Sequence, residues 1–121
     1  MNEGEKVITM RIYLSSTDKY RNSSLFEEIV LTAKQNGIAG STVFRGIMGF
    51  GASSKIHSQK LIEINDKIPV VVEIVDTKSK ISDFLKIVDP LIEESEKGCL
   101  ITFTDSQIIS KKRGKNKHIP D

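Results

Sequence analysis

Residues 45–51 read RGIMGFG, and the glycines at 46, 49 and 51 form the spacing in this chain most suited to binding chemistry. Backbone N–H groups without neighbouring Cβ atoms can converge on an anion, as they do in phosphate-binding nests. Arg45 precedes the glycines, Phe50 lies between two of them, and Ser53, Ser54, Lys55 and His57 follow. These residues supply hydroxyls, a cation and an imidazole, all useful toward phosphate or carboxylate. An exposed glycine-rich turn has the same composition, and both readings stand at this point. The G-x-x-G-x-G order is not the dinucleotide fingerprint, and it leads out of a strand-like run into a loop.

Other chemistries find less support. His57 and His118 are the only histidines, and neither has a cysteine or carboxylate at metal-ligand spacing, so no metal site is expected within one chain. Symmetry could still bring copies of His57 together. Serines are plentiful, but there is no Gly-x-Ser-x-Gly elbow and no third orienting group near His57, so no catalytic residue is assigned and no enzyme is expected. Glu73, set among valines, has a simpler role than catalysis as a partner for Arg11 on an adjacent strand. Cys99 is alone, which excludes an internal disulfide, and Leu100 and Ile101 beside it suggest a buried, inert thiol.

The elements that would position these residues follow from periodicity. Residues 7–14 (VITMRIYL) alternate with period two and form a first strand. Ser24 and Glu27 have capping-box spacing, and Leu25, Phe26, Ile29, Val30 and Ala33 continue a helix to about Asn36. Residues 41–50 are a second strand fading into a loop, and residues 68–75 (IPVVVEIV) a third, with Pro69 tolerated near its start. Ile81, Phe84, Leu85, Val88 and Ile92 define a second helix, interrupted late by Pro90. Residues 99–103 and 106–109 then make a last pair of short strands. The order is β-α-β-β-α-β plus a short extra C-terminal strand, a ferredoxin-like α+β sandwich.

Both faces of the sheet are apolar. Val70, Val72 and Ile74 can face the helices, whereas Val71, Val75, Val7 and Tyr13 point the other way, and that pattern asks for a second copy as cover. The roughly fifteen residues between the second and third strands exceed the usual hairpin length, which marks a functional or mobile loop.

The chain has 121 residues, enough for one domain over residues 1–110 and a basic, disordered tail over 111–121. The net charge of +2 includes Lys111, Lys112, Arg113, Lys115 and Lys117 against Asp121, which leaves the body at −2. Outside the tail, basic residues alternate with acidic ones, and nucleic-acid binding is not expected. No apolar run reaches the ~20 residues of a membrane span, and no export signal precedes the first strand, so a cytoplasmic protein without direct membrane insertion is expected.

Residues 40–57 (GSTVFRGIMGFGASSKIH), Leu61-Ile62-Glu63 and residues 68–76 (IPVVVEIVD) resemble the PII-like proteins grouped as domain of unknown function 190, over roughly residues 7–109. The resemblance implies a PII-like homotrimer whose sheets line the centre and whose long loop after the second strand responds to ligand. In nitrogen-regulatory PII proteins an adenine nucleotide sits between subunits, at the base of that loop and at the turn before the fourth strand. Carried over by position, the binding elements are residues 46–51 with Lys55, and Glu96, Lys97 and Gly98. Here that turn lacks the glycine-rich phosphate-binding sequence, and the loop has no tyrosine for nucleotidylation. The implied protein is a signalling sensor that relays an adenine nucleotide effector to a transporter or enzyme and requires no cofactor. The alternative is an ion-tolerance trimer that binds metal or an inorganic anion.

Overall fold

A computed structural model of the chain describes residues 1–51 and 68–114. Strand β1 spans Lys6–Ser15, β2 Lys19–Tyr20, β3 Ser23–Ser24, helix α1 Leu25–Gln35, β4 Gly40–Arg45, β5 Pro69–Asp76, α2 Lys78–Ser95 and β6 Leu100–Gln107. The main sheet has the order β4-β5-β1-β6 with every neighbouring pair antiparallel, and β2 and β3 form a separate small hairpin. This is the ferredoxin-like βαββαβ arrangement, with both helices on one face.

Strand alternation and helix periodicity meet in one core. Ile8, Met10, Ile12 and Leu14 of β1 and Val70, Val72 and Ile74 of β5 are buried against Leu25, Ile29 and Ala33 of α1 and Ile81, Phe84, Val88 and Ile92 of α2. Each such side chain larger than alanine contributes roughly 1.5–3 kcal/mol on burial, so the helices are held chiefly by this apolar stripe. Thr77 caps α2 by accepting from the Lys80 N–H, and Glu96 closes the helix in the left-handed region at φ 58°. Ser24 stands at the N-cap of α1, but its side chain makes no capping bond. The carboxylate of buried Asp76 accepts from the backbone N–H groups of Ala39 (2.9 Å) and Thr77 (2.6 Å), tying the start of β4 to the start of α2.

Several expectations require correction. The C-terminal residues form the single strand β6 in place of two short ones, because residues 100–107 pair without interruption with β1 from Tyr13 back to Lys6. Pro90 does not end α2, which runs to Ser95; it lies on the exposed side, where a carbonyl deprived of its N–H partner can turn to water. Leu85 is exposed and lies outside the buried stripe. Val7 points away from the helices as expected, yet it is buried, at the end of the sheet where residues 4 and 5 bond to Ile108. The hairpin of β2 and β3 was not anticipated; Arg21, at φ 56°, makes its turn and pairs with Glu94 of α2 at 3.0 Å.

Candidate functional site

The register gathers the chemistry at one end of the sheet. Ser15 is opposite Pro69, Arg45 opposite Val70 and Leu100 opposite Tyr13, so β1 and β4 finish where β5 and β6 begin. Around this end lie the turn leaving β4 (residues 46–51), the Ser15–Asp18 turn leaving β1, and the Glu96–Leu100 segment entering β6. Strand order then separates them. Arg45 and residues 46–51 leave one edge strand, whereas Lys97 and Gly98 enter the other, with β5 and β1 between. Three inter-strand spacings are about 14 Å. The two groups do not form one pocket within a chain.

On the β4 side, the Gly46 N–H donates to the Pro69 carbonyl at 2.7 Å and is therefore engaged within the chain. A Cβ on Gly46 would lie 2.9 Å from Pro69 Cγ, and one on Gly49 3.2 Å from the same atom, whereas one on Gly51 would meet nothing within 4 Å. Packing thus explains the first two glycines before any ligand is invoked. Ile47, Met48 and Phe50 are exposed at 98%, 70% and 69%. Lys55 and His57, expected to assist, lie outside the described residues, as does His118.

On the β6 side, a cleft of about 350 Å³ is bounded by α2 and β6, with Asp89, Glu93, Glu96, Lys97 and Cys99 on its walls. Three carboxylates against one ammonium leave this cleft negative. Cys99 is exposed, not buried as expected. Its thiol is nevertheless pushed up to about 11 by partial desolvation and by the nearby carboxylates of Asp18 and Asp89, which keeps it protonated at neutral pH. The Lys97 N–H is held by Ser95 Oγ at 3.3 Å, so its backbone too is partly engaged.

Between the two groups, the Ser15–Asp18 turn was missed from sequence, although Ser-Ser-Thr-Asp is turn composition. Asp18 Oδ2 accepts from the Ser15 N–H at 3.0 Å, the Ser16 N–H donates to the Ile68 carbonyl at 2.7 Å, and Ser16 Oγ accepts from the Ile68 N–H at 3.1 Å.

The face away from the helices carries ordered rows. Leu100, Tyr13, Val71 and Phe44 are successive register partners across all four strands and form one apolar row, with Leu100, Tyr13 and Phe44 exposed at 59%, 40% and 50%. The next row is polar: Thr102, Arg11, Glu73 and Thr42. Arg11 Nε donates to Glu73 Oε2 at 3.1 Å, the pairing expected from the sequence. On the other face of β6, Ile101 packs against the core while Phe103 is 66% exposed.

Residues 7–108 match the model of the family DUF190, described as an uncharacterized ACR. The chain belongs to this family. A UPF0166 protein of Aquifex aeolicus (strain VF5) is 33% identical over 100 residues, covering 83% of this chain and 90% of the relative. A UPF0166 protein of Methanocaldococcus jannaschii is 28% identical over 103 residues, covering 85% and 92%. Among solved structures, CPII of Thiomonas intermedia K12, a nitrogen regulatory PII-like protein bound to ADP, AMP and bicarbonate, superposes with a TM-score of 0.62 at 14% identity, covering 88% of this chain and 91% of that one. A Thermus thermophilus protein described as a PII-like signaling protein gives 0.55 at 17% identity, covering 86% and 90%. This DUF190 member therefore has the PII-like fold. Among its described residues no helix is long and apolar enough to cross a membrane, and no three His, Cys, Asp or Glu side chains converge as metal ligands.

Proposed function

We propose that this DUF190 protein is a non-enzymic, cytoplasmic sensor that assembles as a homotrimer, binds an adenine nucleotide between subunits, and relays occupancy through the segment after β4 to a partner transporter or enzyme. The observation that carries this reading is the separation of the half-sites. Arg45 with residues 46–51, and Lys97 with Gly98, lie on opposite edges at the same end of one sheet. A cyclic arrangement joins one subunit's β4 edge to the next subunit's β6 edge and completes a cleft at every junction. The exposed apolar row from Leu100 to Phe44 supplies the surface such an assembly would bury. The PII-like CPII, which carries ADP and AMP, supports adenine nucleotide as the ligand class.

Light scattering combined with calorimetric titration of ATP, ADP and AMP tests the reading. A trimer that binds at least one of them supports it; a monomer at micromolar concentration removes the cleft. A trimer that binds none of the nucleotides but does bind a metal ion or small inorganic anion would favour the ion-tolerance alternative.

A further inference from the structure

We infer that Pro69 is the template that shapes the turn of residues 46–49, and that the Gly46–Gly49 spacing exists to admit its ring. The inference rests on the reading of this turn as one half of the ligand cleft, and it assigns a positioning residue on a different strand.

Pro69 opens β5 and approaches the turn from the neighbouring strand. Its carbonyl accepts from the Gly46 N–H at 2.7 Å, and its ring fills the space a side chain would need at both glycines. The two contacts differ in kind. At Gly46 a Cβ would meet Pro69 Cγ at 2.9 Å and also the Pro69 carbonyl oxygen at 3.2 Å, whereas at Gly49 the near atoms, Cγ at 3.2 Å and Cβ at 3.9 Å, belong to the ring alone. At Gly51 a Cβ would have nothing within 4 Å. A proline ring has almost no rotamer freedom, so it templates a neighbouring backbone more rigidly than an open side chain of similar volume.

Pro69 is itself anchored. Ile68 before it exchanges two hydrogen bonds with Ser16 at the end of β1, and Val70 after it is buried in the core. The turn is thereby fixed to the β1–β5 seam, and Ile47 and Met48 project outward from a set geometry.

The test is a double-mutant cycle on the free protein, read by amide exchange of residues 46–51 with Val72 and Ile74 as core references. Pro69→Ala should speed exchange of the Gly46 amide, which donates to the Pro69 carbonyl, by about tenfold and leave the core references unchanged, as expected for a local opening. Gly49→Ala should disturb the same amide and lower the Tm in the parent, yet have little further effect in Pro69→Ala, because Cγ, the atom it strikes, is gone and the remaining Cβ lies at ordinary contact distance. Gly46→Ala should remain disruptive in both backgrounds, since the carbonyl stays. If Pro69→Ala does not fold, Gly49→Ala against Gly51→Ala carries the comparison, with only the former shifting exchange and Tm. Equal effects of Gly49→Ala with and without the ring, unchanged exchange in Pro69→Ala, or equal effects at Gly49 and Gly51 would overturn the inference. Calorimetry with ADP on the parent separates the two readings. A templated turn in a protein that binds no nucleotide defeats only the ligand reading; an untemplated turn in one that binds ADP defeats only the role of Pro69.

Discussion

Arg11 and Glu73 are register partners across the β1–β5 seam, joined Nε to Oε2 at 3.1 Å with side chains 33% and 24% exposed. The pair sits on the face away from the helices, one row beyond the apolar row, with Arg11 Nη1 also 3.4 Å from Thr104 Oγ1. It is too sheltered to be an ordinary surface ion pair and too wet to be a buried one.

Removing one partner should therefore cost an intermediate amount. Glu73→Ala is expected to lower stability by about 1 kcal/mol, within the range for part-exposed charged hydrogen bonds. Urea unfolding of Glu73→Ala, Arg11→Ala and the double variant measures the coupling directly. Strict additivity would show that the pair contributes nothing.

The apolar row makes a separate prediction about assembly. Phe44→Glu and Leu100→Glu each put a charge at an exposed position of the row, so the subunit fold should persist while association fails. Circular dichroism should be preserved, and under the proposed trimer light scattering should fall from three times the 13.5 kDa chain mass to that of one chain. A trimer unaffected by both substitutions would place its interface elsewhere.

Cys99 should be slow to react. With its thiol raised from 9.0 to about 11, alkylation by iodoacetamide at pH 8 is expected to lag behind that of a free cysteine and to accelerate steadily up to pH 11. The linkage has a definite sign, because the folded state holds the proton more tightly than the unfolded one. Its contribution is fully present below pH 9.0 and is lost as pH rises toward 11. Cys99→Ser should flatten that part of the stability profile.

Truncation after Ser110 should shift the Tm by no more than about 4 °C. Residues 111–114 belong to no helix or strand, and the exposed bond from Lys111 Nζ to the Met1 carbonyl at 3.2 Å is a modest tie. Thermal unfolding of the shortened chain checks this. A larger drop would mean that the tail packs against the domain.

The strands and helices were legible because their burial is periodic. The alternations in β1 and β5 and the stripe in α2 predict the core almost residue by residue, and opposed parity places Arg11 beside Glu73. Pro90 misled because local propensity opposes a helix that Ile92, buried beyond it, holds in place. Cys99 misled because it precedes β6, an edge strand most of whose residues are exposed, so apolar neighbours there do not imply burial. The glycines at 46 and 49 were visible, but their reason was not. It lies twenty or more positions away in Pro69, and only the β4–β5 register brings that ring to them.

The proposed cleft, shared between opposite edges of neighbouring sheets, would also have a genetic consequence. In a cyclic assembly, a chain damaged at Arg45 spoils the cleft on one side of itself, and a chain damaged at Lys97 spoils the cleft on the other. Each defective chain still lends its sound edge to a neighbour. Co-expressed Arg45→Ala and Lys97→Ala chains, assembling at random in equal amounts, would regenerate about a quarter of the clefts intact. Two inactive alleles would then complement each other within the same oligomer, whereas two alleles damaged on the same edge would not.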